Sequence, residues 1–190
     1  HAGKLIGLVP KEKLPLYSVF YEPRTLSRGR AGLHRLLDLS QYGLSELVPF
    51  GDLLFLTDFG VVAVEVCEDI WSPNGPMRRR CYQGAEVVVN ISASPFRIGM
   101  HTSRRELVNT RAADYQATVL YVNAVGANDG LVFDGGGFVS QNGRTLLDAP
   151  RFAAGVWTVT LDLDRSRRLR AENTTFRADN SVFHESVPLV

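Results

Sequence analysis

The sequence has few cysteines and histidines and little net charge, and each scarcity excludes a class of protein. Two cysteines among 190 residues cannot build the disulfide framework of a small secreted domain, so we expect a reducing compartment. No metal site is expected, because no ligand spacing links the histidines, which are His1, His34, His101 and His184. A net charge of +1 provides no electrostatic basis for a nucleic-acid partner.

Long apolar runs are absent as well. No stretch approaches the roughly 18 residues that cross a membrane, and no signal peptide is visible, so we expect a cytoplasmic protein without membrane contact. A hydrophobic content of 45% with 22% charged residues is typical of one globular unit with a substantial core. The sequence therefore predicts a single domain over residues 1–190.

Hydrophobic periodicity predicts alternating strands and helices. Apolar or β-branched runs bounded by turn residues predict strands at Leu53–Leu56, Val61–Val66, Glu86–Asn90, Thr118–Asn123, Gly137–Ser140, Thr145–Leu147 and Val156–Leu161. Apolar residues at helical spacing predict an amphipathic helix between Thr102 and Gln116. The basic run Arg78–Arg80 is interpreted as a solvated helix face. Strands with helices between them indicate an α/β fold.

Cys67 is the first candidate for a functional residue. It follows the apolar run Gly60–Val66 and precedes two acids and a tryptophan, where a buried strand gives way to a loop. A thiol displayed at a strand end suits a nucleophile, whereas most free cysteines are buried and inert. This segment alone leaves both interpretations open. Cys81 is interpreted as structural.

Further motifs occur in a fixed order around this cysteine. Pro10-Lys-Glu-Lys-Leu-Pro-Leu-Tyr-Ser-Val-Phe-Tyr-Glu22 precedes it, and Asn90-Ile-Ser-Ala-Ser-Pro-Phe96 and Val132-Phe-Asp-Gly-Gly136 follow. Together with Cys67-Glu-Asp-Ile-Trp71, they resemble the nitrilase superfamily of carbon-nitrogen hydrolases. More narrowly, they resemble the glutamine-hydrolysing domain of glutamine-dependent NAD synthetases. The resemblance extends over most of the chain.

The resemblance implies a fold and a set of site residues. The fold is a four-layer α-β-β-α sandwich. Cys67 is the implied nucleophile, Lys11 rather than Lys13 is the implied catalytic lysine, and Glu22 is implied to orient the lysine and the thiol. Glutamine is the implied substrate, and the residues expected to bind it are Tyr17, Glu68, Ser94, Phe96 and Arg97. A homo-oligomer is also expected.

The residue types allow the chemistry to be followed. A thiol with an ordinary pKa of about 8.5 is mostly protonated at neutral pH, so Cys67 needs a nearby cation or a base. Lys11 favours the thiolate, whereas Glu68 and Asp69 oppose it, and we expect a resting thiol that a carboxylate deprotonates during attack. The backbone N–H after Cys67 and the Lys11 ammonium are the natural donors to a tetrahedral oxyanion.

Two features depart from the family pattern. The family usually has Lys or Arg where this chain has Met100, so Arg97 or Arg104 is a possible substitute for anchoring a substrate carboxylate. The family's general-base glutamate lies well upstream of the lysine, but the residues before Lys11 contain no glutamate. We therefore expect a domain that is incomplete at its N-terminus and is a poor catalyst on its own.

The resemblance also implies a partner and leaves alternatives open. In the family, a synthetase domain uses the released ammonia with ATP and Mg²⁺ to make NAD from its deamido form. No phosphate-binding loop is visible in this sequence, so no cofactor is expected in this chain. The alternatives are a stand-alone nitrilase-like amidase for another small amide and a catalytically silent module. A Cys–His dyad using His34 or His101 is the lesser alternative for the mechanism.

Overall fold

The computed structural model describes residues 1–44, 47–184 and 186–190. The strands are β1 (His34–Asp38), β2 (Leu47–Gly51), β3 (Leu54–Leu56), β4 (Val61–Val66), β5 (Val87–Ser92), β6 (Thr118–Asn123), β7 (Val125–Asn128), β8 (Leu131–Gln141) and β9 (Arg144–Arg151). The α-helices are α1 (Pro76–Tyr82), α2 (Met100–Asp114), α3 (Leu163–Glu172) and α4 (Thr174–Ser181). Short 3₁₀ turns cover Glu22–Arg24, Ser40–Tyr42 and Cys67–Trp71. The predicted α/β class is confirmed.

Strands β3 to β9 form one seven-stranded sheet in the order β3-β4-β5-β6-β8-β7, with β9 paired to β8. The central strands β4, β5 and β6 are mutually parallel, and α1 and α2 connect them. Parallel strands end at the same edge of a sheet. The segments that follow β4 and β5 therefore lie side by side, and the first of them begins with Cys67.

The two faces of this sheet differ in their cover. Helix α1 packs against β4 and α2 packs against β6 and β8, and Val88 and Val119 are buried in the resulting core. Successive side chains of a strand point to opposite faces, and on the other face Ile91 and Val122 are exposed. The described residues thus form one helical layer and one sheet layer, and the sheet has an apolar second face of the kind that packs inside a sandwich.

A two-stranded antiparallel sheet of β1 and β2 lies outside the main sheet and fixes the N-terminal segment. The Leu8 N–H donates to the Pro49 carbonyl and the Gly51 N–H donates to the Leu8 carbonyl, both at 2.9 Å. Because β2 leads directly into β3, these bonds connect the segment before Lys11 to the sheet that carries Cys67.

Most of the predicted elements are confirmed. Strands β4 and β6 have the predicted bounds, and α2 covers most of the predicted amphipathic helix. The predicted hairpin is β8–β9, with both strands longer than expected. The sequence does not predict β1, β2 or β7. Most or all of the residues of β1 and β7 are exposed, so these strands lack the alternating burial that marks a strand, and β2 contains Pro49.

The prediction of a strand at Val156–Leu161 is wrong. Its β-branched and aromatic residues are typical of strands, but a strand also needs a hydrogen-bonded neighbour, and no described residue pairs with it. The segment instead passes over the open face of the sheet. There Val156 and Trp157 line a cavity of about 250 Å³ together with residues of β6 and β8.

The interpretation of Arg78–Arg80 as a solvated helix face is wrong for two of its three residues. Arg79 donates to the carboxylates of Glu12 and Asp52, and Arg80 Nε donates to Asp52 Oδ1 at 2.9 Å. All four side chains are buried, which the ion pairs make possible, since buried charges persist only when they are paired. Partners so distant in sequence cannot be identified from the basic run itself.

Candidate active site

Cys67 lies in a strained turn at the end of β4. Its φ angle is 48°, in the left-handed region that non-glycine residues rarely adopt. It begins the 3₁₀ turn Cys67–Trp71, and its carbonyl accepts a 3.3 Å hydrogen bond from Asn90 Nδ2 on β5. The predicted position of Cys67, where a strand gives way to a loop, is therefore confirmed.

Buried polar side chains of β4 and β5 hold the turn that begins at Cys67. Asn90 Nδ2 also donates to Glu65 Oε1 at 3.0 Å, and Asn90 Oδ1 accepts from Ser92 Oγ at 2.7 Å. Burial raises the pKa of Glu65 to about 8, because a charged carboxylate is costly in the core. One amide thus connects the Cys67 carbonyl to two further buried groups, which fixes the orientation of that amide.

The surroundings of the Cys67 thiol act on its pKa in both directions. Burial raises the pKa above its ordinary value, and the charge of Glu68 adds to the rise. The Lys11 ammonium, the Ser92 hydroxyl and the Ala93 backbone N–H oppose it. Because burial outweighs these groups, Cys67 rests as a thiol at neutral pH.

Lys11 and Glu22 form an ion pair near this thiol. Lys11 Nζ donates to the two carboxylate oxygens of Glu22 at 2.7 and 2.6 Å. The two side chains are 15% and 27% exposed, so water screens the pair only in part. Lys13 makes no ion pair with any residue that the structure describes, and it lines an adjoining surface cleft. The Lys11 ammonium, paired with Glu22, is therefore close enough for its charge to act on the Cys67 thiol.

The thiol opens into a cavity of about 200 Å³, a size that suits a small molecule. Its lining includes Cys67 and every residue that the sequence predicts to bind substrate, namely Tyr17, Glu68, Ser94, Phe96 and Arg97. The apolar part of the wall comes from Phe20, Trp71 and Leu131. The structure thus gathers these side chains in one cavity, while their roles in binding stay a prediction.

Tyr17 and Glu68 form a polar pair on the cavity wall. The Tyr17 hydroxyl donates to the carboxylate oxygens of Glu68 at 2.8 and 3.0 Å. Partial burial, together with Glu68, raises the pKa of Tyr17 to about 12, so the phenol remains a donor throughout the physiological range. The positive charge of Arg97 acts in the other direction and lowers the pKa of Tyr17. The cavity therefore offers a carboxylate and a guanidinium to a bound molecule.

Arg104 binds Ser94 and is therefore not free to replace the basic residue that the family has at the position of Met100. Arg104 Nη2 donates to the Ser94 carbonyl at 2.8 Å and to its hydroxyl at 3.2 Å, and Nη1 donates to Asp134 at 2.6 Å. This buried guanidinium is committed to protein partners. Met100 begins α2 and lies outside the cavity lining. Arg97 is therefore the better candidate to anchor a substrate carboxylate.

The histidines considered for a dyad lie elsewhere. His34 belongs to β1, and His101 Nε2 lies 3.3 Å from Asp148 Oδ1. Neither lines the cavity of Cys67, so the geometry does not support a Cys–His dyad. Over residues 1–44, 47–184 and 186–190, no group of three or more acidic, histidine or cysteine side chains is arranged to hold a metal. Within the same ranges, no helix has the length and apolar character needed to cross a membrane.

Asp69 has a structural role that the sequence does not reveal. Its Oδ1 accepts from the backbone N–H groups of Glu12 and Lys13 at 3.0 and 2.8 Å, and its Oδ2 accepts from the Val66 N–H at 3.0 Å. The residue stands within the Cys67 motif, but two of its partners lie 57 and 56 positions earlier. A single sequence carries no signal for backbone contacts at such a separation.

Comparisons with known proteins identify the family of this chain. The profile of the family described as Carbon-nitrogen hydrolase matches residues 17–171. The chain is 34% identical to the glutamine-dependent NAD(+) synthetase of Aquifex aeolicus over 178 residues, which cover 93% of this chain and 28% of that protein. It is 36% identical to the protein of the same name from Mycobacterium bovis over 183 residues, which cover 90% and 26%. The chain thus spans about a quarter of the length of these curated relatives.

Solved structures show the same relationship. A glutamine-dependent NAD+ synthetase from Acinetobacter baumannii is similar with a TM-score of 0.65 and 29% identity, over 82% of this chain and 26% of that one. A carbon-nitrogen hydrolase from Helicobacter pylori shares the fold, with a TM-score of 0.68 and 22% identity over 89% and 56%. These neighbours confirm the predicted nitrilase-like fold. With a family profile matched over most of its length, the chain belongs to the carbon-nitrogen hydrolases of the nitrilase superfamily.

Proposed function

We propose that this chain hydrolyses the side-chain amide of glutamine to glutamate and ammonia. The observation that carries the proposal is the shared cavity of Cys67, Glu68 and Arg97. A thiol nucleophile suits attack on an amide carbon. A carboxylate and a guanidinium complement the ammonium and carboxylate of an α-amino acid. Membership of the carbon-nitrogen hydrolases agrees with an amide as the bond that is cleaved.

The first half-reaction forms a thioester. Cys67 Sγ bonds to the amide carbon while a carboxylate base takes the thiol proton, and the carbonyl electron pair moves onto oxygen. The backbone N–H after Cys67 and the Lys11 ammonium donate to this oxyanion. The C–N bond then breaks, and the nitrogen leaves as ammonia with the proton that the base returns. The acyl group remains on Cys67.

The second half-reaction releases glutamate. Water, deprotonated by the same base, adds to the thioester carbon, and the tetrahedral oxyanion uses the same donors. The C–S bond breaks, the sulfur regains its proton, and the carboxylic acid product departs. Glu22 contributes by holding the Lys11 ammonium through both steps, because each of its oxygens accepts a bond from Lys11 Nζ.

The general base is not assigned by the described carboxylates that lie nearest the thiol. Of the carboxylates nearest the thiol, Glu22 is engaged by Lys11 and Glu68 by Tyr17. We therefore propose that neither Glu22 nor Glu68 is the base.

We further propose that the ammonia serves NAD synthesis. The relatives named glutamine-dependent NAD(+) synthetase are longer than the matched region, which covers 28% and 26% of two of them. In our proposal a separate synthetase domain, using ATP and Mg²⁺, takes up the ammonia to amidate deamido-NAD. The protein would act in the cytoplasm as a homo-oligomer.

Separating the two half-reactions tests this function. In the product of the complete reading frame, Cys67→Ala should abolish NAD synthesis supported by glutamine and leave synthesis supported by ammonium largely intact. Equal loss of both activities would contradict a separate glutaminase site. Glutamine hydrolysis without any NAD synthesis would instead identify a stand-alone amidase.

A covalent label tests the nucleophile. A diazoketone analogue of glutamine should alkylate Cys67, and peptide mapping by mass spectrometry should locate the adduct there. Cys81 provides the internal control, because it is 1% exposed. An adduct on Cys81 alone would refute the assignment.

A further inference from the structure

Asp69 joins the two chain segments that carry the proposed catalytic groups. One of its oxygens accepts from the N–H of the residue just before Cys67, at 3.0 Å. The other accepts from the N–H groups of the two residues just after Lys11, at 3.0 and 2.8 Å. The carboxylate is buried, with 1% of the residue exposed, so these bonds are shielded from competing water. One side chain therefore spans from the lysine segment to the cysteine turn.

The lysine segment has few other means of holding its place. It contains no helix or strand from residue 9 to residue 16. The Lys11 carbonyl accepts a 2.7 Å bond from the Gly29 N–H, and the Glu12 side chain is held by Arg79 on the far side of the segment. Only Asp69 supplies a bond from this backbone to the turn of Cys67 among the described hydrogen bonds.

We propose that Asp69 is a positioning residue that sets the placement of the Lys11 ammonium relative to the Cys67 thiol. Asp69 does not line the cavity, so in this proposal it acts only through the placement of Lys11 and Cys67. The inference relies on the proposed function only for the identity of the reaction, since the placement itself is a property of the resting protein. Groups outside the reacting set that fix its geometry commonly decide how well a site performs.

The hydrogen-bonding capacity of the carboxylate explains why an aspartate is needed. Both oxygens accept, and three N–H groups are satisfied. An amide of the same shape has one oxygen and one NH₂ group. In Asp69→Asn the NH₂ group must face a backbone N–H, either at the turn or at the lysine segment, and two donors cannot bond to each other. One connection is therefore lost although the volume of the side chain is unchanged.

A positioning role and a direct electrostatic role of Asp69 predict opposite changes in the pKa of the Cys67 thiol. If the negative charge of Asp69 acted directly on Cys67, its removal would lower the thiol pKa. If Asp69 instead holds Lys11 near the sulfur, its removal weakens the influence of the ammonium and the thiol pKa rises. The direction of the change therefore separates a positioning role from a direct electrostatic one.

The experiment measures the alkylation of Cys67 by iodoacetamide as a function of pH, read by mass spectrometry, in the product of the complete reading frame. In Asp69→Asn we expect the thiol pKa to rise, so that alkylation at neutral pH slows about threefold to tenfold. Lys11→Ala should show the same effect, and the double variant should be no slower than Lys11→Ala. The matched control is Asp38→Asn, which removes an exposed negative charge, keeps an oxygen that can accept the 2.9 Å bond from the Ser40 N–H, and should leave the alkylation of Cys67 unchanged.

A fall or no change in the thiol pKa of Asp69→Asn would overturn the proposal, and so would additive effects of the two substitutions. If Asp69→Asn does not fold, Lys13→Pro carries the same test, because it removes one N–H donor to Asp69 and keeps the carboxylate. Alkylation needs no glutamine, so this test is independent of the proposed function. Wild-type protein without glutaminase activity would refute that function and leave the placement test readable.

Discussion

Cys67 and Cys81 both have a raised pKa, but the two thiols lie in different surroundings. Cys81 belongs to α1, faces the hydrophobic core and is 1% exposed. Burial raises its pKa to about 11, and the Arg170 guanidinium opposes this without offsetting it. Cys67 is also partly buried, but it opens into a cavity and has an ammonium, a hydroxyl and a backbone N–H close to its sulfur.

The difference shows what converts a buried cysteine into a candidate nucleophile. Burial by itself only protonates a thiol and makes it inert. At the end of β4, the parallel pairing with β5 brings Ser92 and Ala93 close to the Cys67 sulfur, and the N-terminal segment adds the charge of Lys11. Within α1, the Cys81 thiol faces the hydrophobic core, and the nearby Arg170 guanidinium does not offset the effect of burial. Reactivity therefore follows from the place of each cysteine in the sheet topology.

The largest expected contrast is in chemical modification. In the native protein, iodoacetamide should alkylate Cys67 at least about 10³ times faster than Cys81, because Cys81 reacts only through rare unfolding. The rates are read by mass spectrometry of the two peptides. In denaturant the two rates should become similar, which serves as the control. Similar rates in the native state would show that the core around Cys81 is open.

A second contrast concerns the two lysines beside the site. An ammonium that stabilises an oxyanion contributes on the order of 3 kcal/mol, so Lys11→Ala should lower glutamate release by about 10² or more. Lys13→Ala removes a charge at an adjoining cleft and should change the rate by less than about threefold. Steady-state kinetics with folding checked by circular dichroism measure both. A larger loss in Lys13→Ala would mean that the motif is misaligned.

Whether a feature of this molecule can be predicted from the sequence depends on the distance along the chain over which its residues interact. Short patterns identify the strand that leads to Cys67 and its end, because the information lies within a few residues. Ordered motifs also name side chains that the structure then gathers around one cavity, including Tyr17 and Ser94, although the two are 77 positions apart. The resemblance supplies this grouping, and no local pattern does.

The wrong predictions concern features that depend on partners far away in the sequence. The segment Val156–Leu161 has the composition of a strand, but none of the residues that the structure describes pairs with it. Arg79 and Arg80 belong to a basic run, but these two residues are buried because Glu12 and Asp52 neutralise them. Composition cannot distinguish a solvated charge from a buried one, because burial is decided by where the partner carboxylates lie in the fold.

The buried carboxyl beneath the Cys67 turn predicts a pH effect on stability. The folded protein holds the Glu65 proton up to about pH 8, whereas the unfolded chain releases it near its ordinary value of 4.5. Between these values the folded state binds more protons, so this group makes stability fall as the pH rises. Glu65→Gln keeps an acceptor for Asn90 and cannot ionise, so the fall in Tm between pH 5 and 8 should become smaller.

Glu172→Gln is the control for this effect, because Glu172 is exposed on the last turn of α3. Its Tm should follow the wild-type dependence on pH. The measurement is thermal unfolding followed by circular dichroism at several pH values. If the dependence of Tm on pH is the same in Glu65→Gln as in the wild type, the Glu65 carboxyl of the wild type is already ionised well below pH 8. The polar groups beside the Cys67 turn would then be better hydrated than their burial indicates.

The smallest expected effect is on substrate affinity at the cavity wall. Tyr17→Phe removes the hydroxyl that donates to Glu68 at 2.8 Å, and a hydrogen bond to a charged group contributes about 1.5–3 kcal/mol when it is fully formed. The pair is partly exposed, so water replaces much of the loss, and we expect the KM for glutamine to rise about threefold with little change in kcat. The effect should not vary with pH between 6 and 9, because a phenol with a pKa of about 12 stays protonated there. Tyr21→Phe, at an exposed position four residues on, should leave both constants unchanged. A large loss of kcat in Tyr17→Phe would instead place the phenol among the groups that act on the reacting amide. The polar surroundings that distinguish Cys67 from Cys81 would then include this residue of the cavity wall.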